Sequence, residues 1–258
     1  MISARNITLR YGNRTVLEEL DFSAKPGALT AIVGPNGSGK TTLLKALTGE
    51  VPFDGDVVVE GLNIATTPAW KLAMTRAVLP QSTSMSFPFQ AIEVVRLGLQ
   101  RSVSHDETLP QRALSKVGLD GYGSRFYQEL SGGEQQRAQL ARVLCQVWEP
   151  VLDGAPRWLF LDEPVSSLDI GHQLQVMTIA RNYADAGGGV IAVMHDLNLS
   201  AMFADEIILM KAGRIISSGA ADQALTNDTL SYAYGCPVQT RTVPQNTGWF
   251  FLPQGAGA

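Results

Sequence analysis

Apolar and polar residues alternate from Ile2 to Leu9 and again from Val16 to Ala24, the period-two pattern of antiparallel strands with one wet face. The next run, Ala28 to Val33, is almost continuously apolar and ends at Gly34, as expected of a strand buried on both faces. Thr41 to Leu47 then reads as a helix stopped near Gly49. From about Gln81 to Trp148 the strand signal fades, and Ile92 to Leu99, Leu109 to Val117 and Glu134 to Trp148 carry helical spacing. Buried strands resume at Trp158 to Leu161, Val190 to Met194 and Glu206 to Met210, with crossover helices over Gly171 to Ala186 and Leu197 to Phe203. The pattern predicts an α/β sheet domain holding an inserted helical subdomain. For the tail from Cys236 to Ala258, a hairpin and a loop fit equally well.

Composition narrows this picture only a little. The 258 residues are 45% hydrophobic and 17% charged, enough apolar material for a sizeable core. A net charge of -4 leans away from a dedicated nucleic-acid binder. The two cysteines, Cys145 and Cys236, lack metal or redox spacing and read as buried or incidental thiols. The N-terminus has no apolar core of signal-peptide type, and no run of about 18 apolar residues predicts a membrane span.

Chemistry enters at the strand-loop-helix junction. Gly34, Pro35, Asn36, Gly37, Ser38, Gly39, Lys40, Thr41 and Thr42 match the phosphate-loop pattern, in the context that pattern requires. Its glycines let successive N–H groups form an anion nest at the positive end of the following helix. Lys40 supplies a full charge to the β- and γ-phosphates, and Thr41 a hydroxyl for Mg²⁺. The strand Trp158 to Leu161 ends in Asp162 and Glu163, which a parallel sheet places at its C-terminal edge beside that loop. Asp162 is then suited to the metal sphere and Glu163 to orienting an attacking water. Ahead of a helix stand Leu130, Ser131, Gly132, Gly133 and Glu134, either a second phosphate-receptive N-terminus or a plain Ser131 N-cap after a glycine turn.

Taken in order, these motifs resemble the nucleotide-binding subunit of ABC transporters over about residues 1 to 235, and Leu130 to Glu134 matches the family signature in full. The resemblance implies a P-loop NTPase core with an antiparallel β subdomain and an inserted helical subdomain, using ATP and Mg²⁺. It divides a single domain, 1–258, into a core (1–80 and 151–235), a helical signature subdomain (81–150) and a tail (236–258). It makes Tyr11 the aromatic that stacks on adenine, against the plainer reading of an exposed strand-end tyrosine. Gln81 becomes the hinge glutamine, near metal and reacting water; Ser166 to Asp169 the loop crossing a dimer interface; His195 the switch histidine. His105 and His172 receive no role, and Arg137 and Arg142 read as a solvated or ion-paired helix face.

In this family two subunits pack head to tail, so Ser131 and Gly133 would close the ATP site of a second copy. The segment Ser82 to Gln90, with Phe87 and Phe89, either reads the nucleotide state to a membrane partner or packs the helical subdomain. The single cassette, without predicted membrane helices, coiled-coil heptads or a long C-terminal extension, fits a stand-alone importer ATPase. Within importers, Leu79 to Ser82, Val94 to Gly98 and Ser167 to Gln173 resemble the branch for iron chelates, haem and vitamin B12. The lengthened stretch Gln146 to Arg157 resembles haem-importer ATPases. The implied partners are a permease dimer and, indirectly, a periplasmic substrate-binding protein, with no nucleic acid; the implied place is the cytoplasmic face of a bacterial inner membrane. A siderophore or vitamin B12 importer, or an ABC ATPase outside transport, is the alternative.

Overall fold

A computed structural model describes residues 1–82, 85, 87–100 and 106–242. Strand β1 (Ile2–Tyr11) runs antiparallel to β2 (Arg14–Ala24), and β3 (Leu29–Val33) leads through the glycine loop into α1 (Lys40–Thr48). There follow β4 (Asp54–Val59), β5 (Leu62–Asn63), α2 (Ala69–Thr75) and β6 (Arg76–Leu79). Helices α3 (Ala91–Leu99), α4 (Leu109–Lys116) and α5 (Gly132–Gln146) form the insertion. The chain returns through β7 (Val151–Leu152), β8 (Ala155–Pro156), β9 (Trp158–Asp162), α6 (Ile170–Asp185), β10 (Gly189–Val193) and α7 (Leu197–Phe203). It finishes with β11 (Glu206–Lys211), β12 (Arg214–Gly219), α8 (Ala221–Ala224) and α9 (Asn227–Tyr234).

The strands form one sheet in the order β2-β1-β4-β5 and another in the order β12-β11-β3-β10-β9-β6. In the second, β11, β3, β10, β9 and β6 are parallel and β12 closes one edge antiparallel. Strands β3, β9 and β10 are buried along their whole length, which explains their continuous apolar runs. Alternate side chains still go to different cores. Ile32, Trp158, Phe160, Ile191 and Val193 pack with Leu43, Leu44 and Leu47 of α1 and with the antiparallel sheet. Leu29, Leu159, Leu161, Val190 and Ala192 face the other way, against α3, α5, α6 and α7. Helix α1 is therefore clamped between two sheets, and the loop before it is fixed at both ends.

The α/β class, the antiparallel β part and the helical insertion agree with the sequence reading. Two expectations do not. Arg137 and Arg142 are not a solvated face. Arg137 is buried and donates from Nη1 to Val117 O and Gly118 O at 3.1 and 3.2 Å, satisfying carbonyls that the end of α4 leaves open. Arg142 donates to Gln139 Oε1 at 2.7 Å and reaches Val78 O on β6 at 3.4 Å, so both tie α5 to its neighbours. Phe89 is half-buried against the helical core, while Phe87 stays exposed at 69%, so only one of the pair is a surface aromatic.

The stretch Gln146 to Arg157 contains the β7–β8 hairpin, turned at Asp153 and Gly154 with φ of 50° and 78°. Gln146 Nε2 donates to Ala73 O and Arg76 O, and Arg157 to Met74 O and Gln146 O, so this insertion is stitched to the α2–β6 edge. Residues 236–242 carry neither helix nor strand. The rest of the tail, together with 83, 84, 86 and His105, lies outside the described residues.

Candidate functional site

The parallel register brings the carboxyl ends of β3, β9 and β10 together: Val193 lies beside both Ile32 and Asp162. Immediately beyond these ends come the glycine loop, Glu163 and His195. Gly34 stands at φ 147°, and a Cβ there would lie 2.2 Å from Met210 O, so only glycine lets the chain leave β3 against β11. The loop curls back on itself through Ser38 N donating to Pro35 O at 3.2 Å, and Gly213 N donates to Ser38 O at 2.9 Å from the β11–β12 turn.

Helix α1 begins after Gly39 with no side-chain cap, which leaves its first N–H groups free for an anion. Lys40 is buried and folds over the loop, its Nζ donating to Gly34 O at 2.9 Å and Pro35 O at 3.2 Å. Burial pulls its pKa down, while the negative charges of Glu163 and Asp162 push it back up. Thr42 follows half-buried in the first turn, and Asn36 and Gly37 form the exposed tip. Ser38 Oγ is buried without a hydrogen-bond partner, an orphan hydroxyl inside the phosphate loop.

Asp162 is buried at the end of β9 and accepts from Thr41 Oγ1 at 3.1 Å. Burial raises its pKa above the usual carboxylate range; Glu163 and Glu50 add to the rise, and the Thr41 hydroxyl and Lys45 oppose it. A buried carboxylate, a hydroxyl within hydrogen-bond reach and further carboxylates nearby make an all-oxygen donor set of the kind a hard divalent cation takes. Gln81 is exposed and lines an open pocket together with Asp162, Lys45, Glu50 and Ser82. The donor set thus fits Mg²⁺ and the loop fits a phosphate chain.

Asp162 yields a stability prediction. An acid whose pKa is raised by folding contributes most favourably below its unfolded value, and that contribution is lost as pH rises through its folded value. At neutral pH the ionised carboxylate therefore burdens the nucleotide-free protein. Asp162→Asn should raise the nucleotide-free melting temperature at pH 7, with the gain shrinking as the pH falls and the wild-type carboxyl takes up its proton. The same variant should lose most of the further rise that Mg-ATP gives the wild type. Calorimetric scans at pH 7 and at lower pH, with and without Mg-ATP, check both halves.

Glu163 follows directly, half-buried, with its backbone at φ 52°. A left-handed conformation in a non-glycine residue costs on the order of 1–3 kcal/mol and persists only where neighbours impose it. Its Oε1 lies 2.5 Å from His195 Nε2, so the two side chains expected around the reacting water are in contact.

The other expected residues stand apart. Ser131 caps α5 in a capping box: its Oγ accepts from Glu134 N at 3.4 Å, and its own N–H donates to Glu134 Oε2 at 2.7 Å. Within one chain the plain N-cap reading is thus realised, with Ser131 and Gly132 exposed and Gly133 set against Ser167 and Leu168. Asp169 caps α6, accepting from His172 N at 3.0 Å and touching His172 Nδ1, so His172 has a local partner after all. Tyr11 is 51% exposed at the end of β1 and free to stack. One contact escaped sequence reasoning: Gln136 of α5 donates from Nε2 to Glu163 O at 2.8 Å. Its only signal was its place one turn after Gly133, on the same helix face.

Among the described residues no group of three or more His, Cys, Asp or Glu side chains forms a metal site, and no helix is long and apolar enough to cross a membrane. Comparison with known proteins supplies the rest. Residues 17–166 match the family described as ABC transporter. The hemin import ATP-binding protein HmuV of Jannaschia sp. (strain CCS1) is 58% identical over 254 residues, covering 98% of this chain and 94% of the relative. Its namesake in Roseobacter denitrificans (strain ATCC 33942 / OCh 114) is 55% identical over 256 residues, covering 99% and 98%. Among solved structures, an ATP binding subunit of an ABC transporter shares the fold with a TM-score of 0.76 at 21% identity, over 86% of this chain and 90% of that one. An ATP-binding cassette solved as a dimer with ADP and Pi gives 0.74 at 22%, over 86% and 99%. With the family match spanning more than half its residues and relatives above 50% identity running nearly end to end, the chain belongs to the ABC transporter family.

Proposed function

We propose that this chain is the ATP-hydrolysing subunit of a bacterial haem importer. The observation that carries the chemistry is the gathering of Lys40, Thr41, Asp162, Glu163 and His195 at one sheet edge, with Gln81 at its rim. The cargo follows from near full-length identity to hemin import ATP-binding proteins, and no residue of the site itself reads it. The chain acts as one domain, 1–258, whose core (1–80 and 151–235) holds the nucleotide, whose helical part (81–150) carries the signature, and whose tail is 236–258.

In this reading the N–H groups of the loop and the free end of α1 bind the phosphate chain, Lys40 neutralises its β- and γ-oxygens, and Tyr11 stacks on the base. Thr41, Asp162 and Gln81 would hold Mg²⁺, which when bound would withdraw charge from the β- and γ-phosphates. Glu163 orients the water and takes its proton, while His195 leaves the carboxylate and bridges water and γ-phosphate. Phosphoryl transfer needs little beyond such positioning and charge stabilisation.

A second copy completes the site. Ser131, Gly132 and Gly133 of the partner add donors on the side Lys40 leaves open, and the loop to Asp169 crosses between protomers. ATP then holds the dimer together and hydrolysis releases it. The exposed Phe87, edge-on to Phe89 at 6.3 Å, supports reading this surface as the one offered to a permease at the cytoplasmic membrane face. Affinity purification from detergent-solubilised membranes tests the proposal: a polytopic permease should co-purify, and the reconstituted complex should hydrolyse ATP faster with a haem-loaded binding protein. Stimulation by a siderophore- or vitamin B12-binding protein instead would reassign the cargo; no permease and no stimulation would remove transport altogether.

A further inference from the structure

The loop from Glu163 to Asp169 carries the proposed general base on a backbone that its neighbours must hold in place. Two glutamine side chains do this, from two different helices. Gln173 of α6 donates from Nε2 to Val165 O and Leu168 O at 3.3 and 3.0 Å, a helix closing the loop that leads into it. Gln136 arrives from a different part of the molecule. It sits on α5, the helix that Ser131 caps. Its Nε2 donates to Glu163 O at 2.8 Å and its Oε1 accepts from Ser167 N at 3.3 Å. Ser166 adds its N–H and its hydroxyl to the same carbonyl, at 3.4 and 3.2 Å. The carbonyl of Glu163 is therefore the point on which the loop closes, at the residue whose φ is 52°.

The side-chain chemistry at position 136 is constrained. Its partners are one carbonyl and one N–H, so the bridge needs a donor and an acceptor on a single planar group. Glutamine supplies both; asparagine is a methylene shorter, and glutamate can only accept. Gly133, one turn earlier, brings α5 close enough for this reach: a Cβ there would stand 3.1 Å from Leu168 Cδ2 and from Ser167 O.

We propose that Gln136 is a positioning residue for hydrolysis: its amide fixes the backbone that aims the Glu163 carboxylate, locking the signature helix of each protomer to that protomer's own general base. The inference rests on the reading of Glu163 as the base. It has a structural consequence. In the head-to-tail dimer the N-terminus of α5 faces the partner's nucleotide while Gln136 holds the chain's own Glu163, so one amide links the two ATP sites.

Steady-state hydrolysis by the full-length protein, with titration of a fluorescent ATP analogue, tests this. Gln136→Met keeps length and removes both hydrogen bonds. It should lower kcat by about tenfold or more, as a mis-aimed base does, and leave nucleotide Kd within about twofold. Gln136→Lys can still donate to Glu163 O whereas Gln136→Glu cannot, so the lysine variant should keep the higher kcat. Wild-type kcat in Gln136→Met, or equal kcat in the lysine and glutamate variants, would overturn the proposal. Should the methionine variant fail to fold, the lysine and glutamate pair decides alone. Glu163→Gln serves as reference: if it stops turnover while Gln136→Met does not, only the positioning role is lost, whereas turnover surviving in Glu163→Gln removes the general-base reading instead.

Discussion

Glu163→Gln should lower ATP turnover by about 10²–10⁴-fold, the usual worth of a positioned general base, and leave nucleotide binding intact. The substitution changes one oxygen for an NH₂ and keeps the volume, so the loop closing on Glu163 O and the half-buried side-chain site are preserved. What disappears is the ability to take a proton from water. Asp162 cannot stand in, because it is buried and engaged by the Thr41 hydroxyl. His195 cannot either, since its contact in this chain is the missing carboxylate. Phosphate release gives the rate, and titration with a fluorescent ATP analogue gives the affinity. If ATP is the glue between protomers, the same variant should also elute as a dimer in Mg-ATP where the wild type returns to monomer. Undiminished turnover would end the assignment of Glu163.

Much of this site was legible in the sequence because its parts are local. The strand before Gly34, the loop and α1 are contiguous, and the loop's function depends on backbone N–H groups that a glycine pattern announces. Asp162 and Glu163 could be placed because a fully buried apolar strand of a parallel sheet has its C-terminal end on the ligand side. The edge strand β6, only four residues long, is too short for its apolar Ala77, Val78 and Leu79 to set a period. Arg137 was misread for a different reason: a charge on a helix looks solvated unless one knows that the end of α4 lies within reach and needs donors. Gln136 shows the same limit, since an amide in a helix names no partner and Glu163 O is a purely tertiary neighbour. Phe87 and Phe89 are two residues apart, and only packing separates the exposed ring from the half-buried one.

Lys40→Ala should have the opposite partition and remove nucleotide binding itself. Two losses coincide. The loop loses the donor that bonds Gly34 O and Pro35 O and holds its curvature, and the phosphate chain loses its one buried cation from the loop. Burial already strains that cation, lowering its pKa against the pull of Glu163 and Asp162, so Lys40 carries a charge that a phosphate would satisfy far better than a carbonyl does. Truncating one member of a buried charge pair costs about 2–5 kcal/mol, which corresponds to roughly 30- to several thousand-fold in Kd. Lys40→Arg should not rescue it, because the planar guanidinium cannot occupy the space of a compact ammonium beneath the loop. Two measurements agree if this is right: the fluorescent ATP analogue fails to saturate, and the rise in melting temperature that ATP gives the wild type by binding only the folded state disappears. A variant that binds within a few-fold of wild type but no longer turns over would move Lys40 from holding the ground-state phosphates to stabilising the charge that develops during transfer.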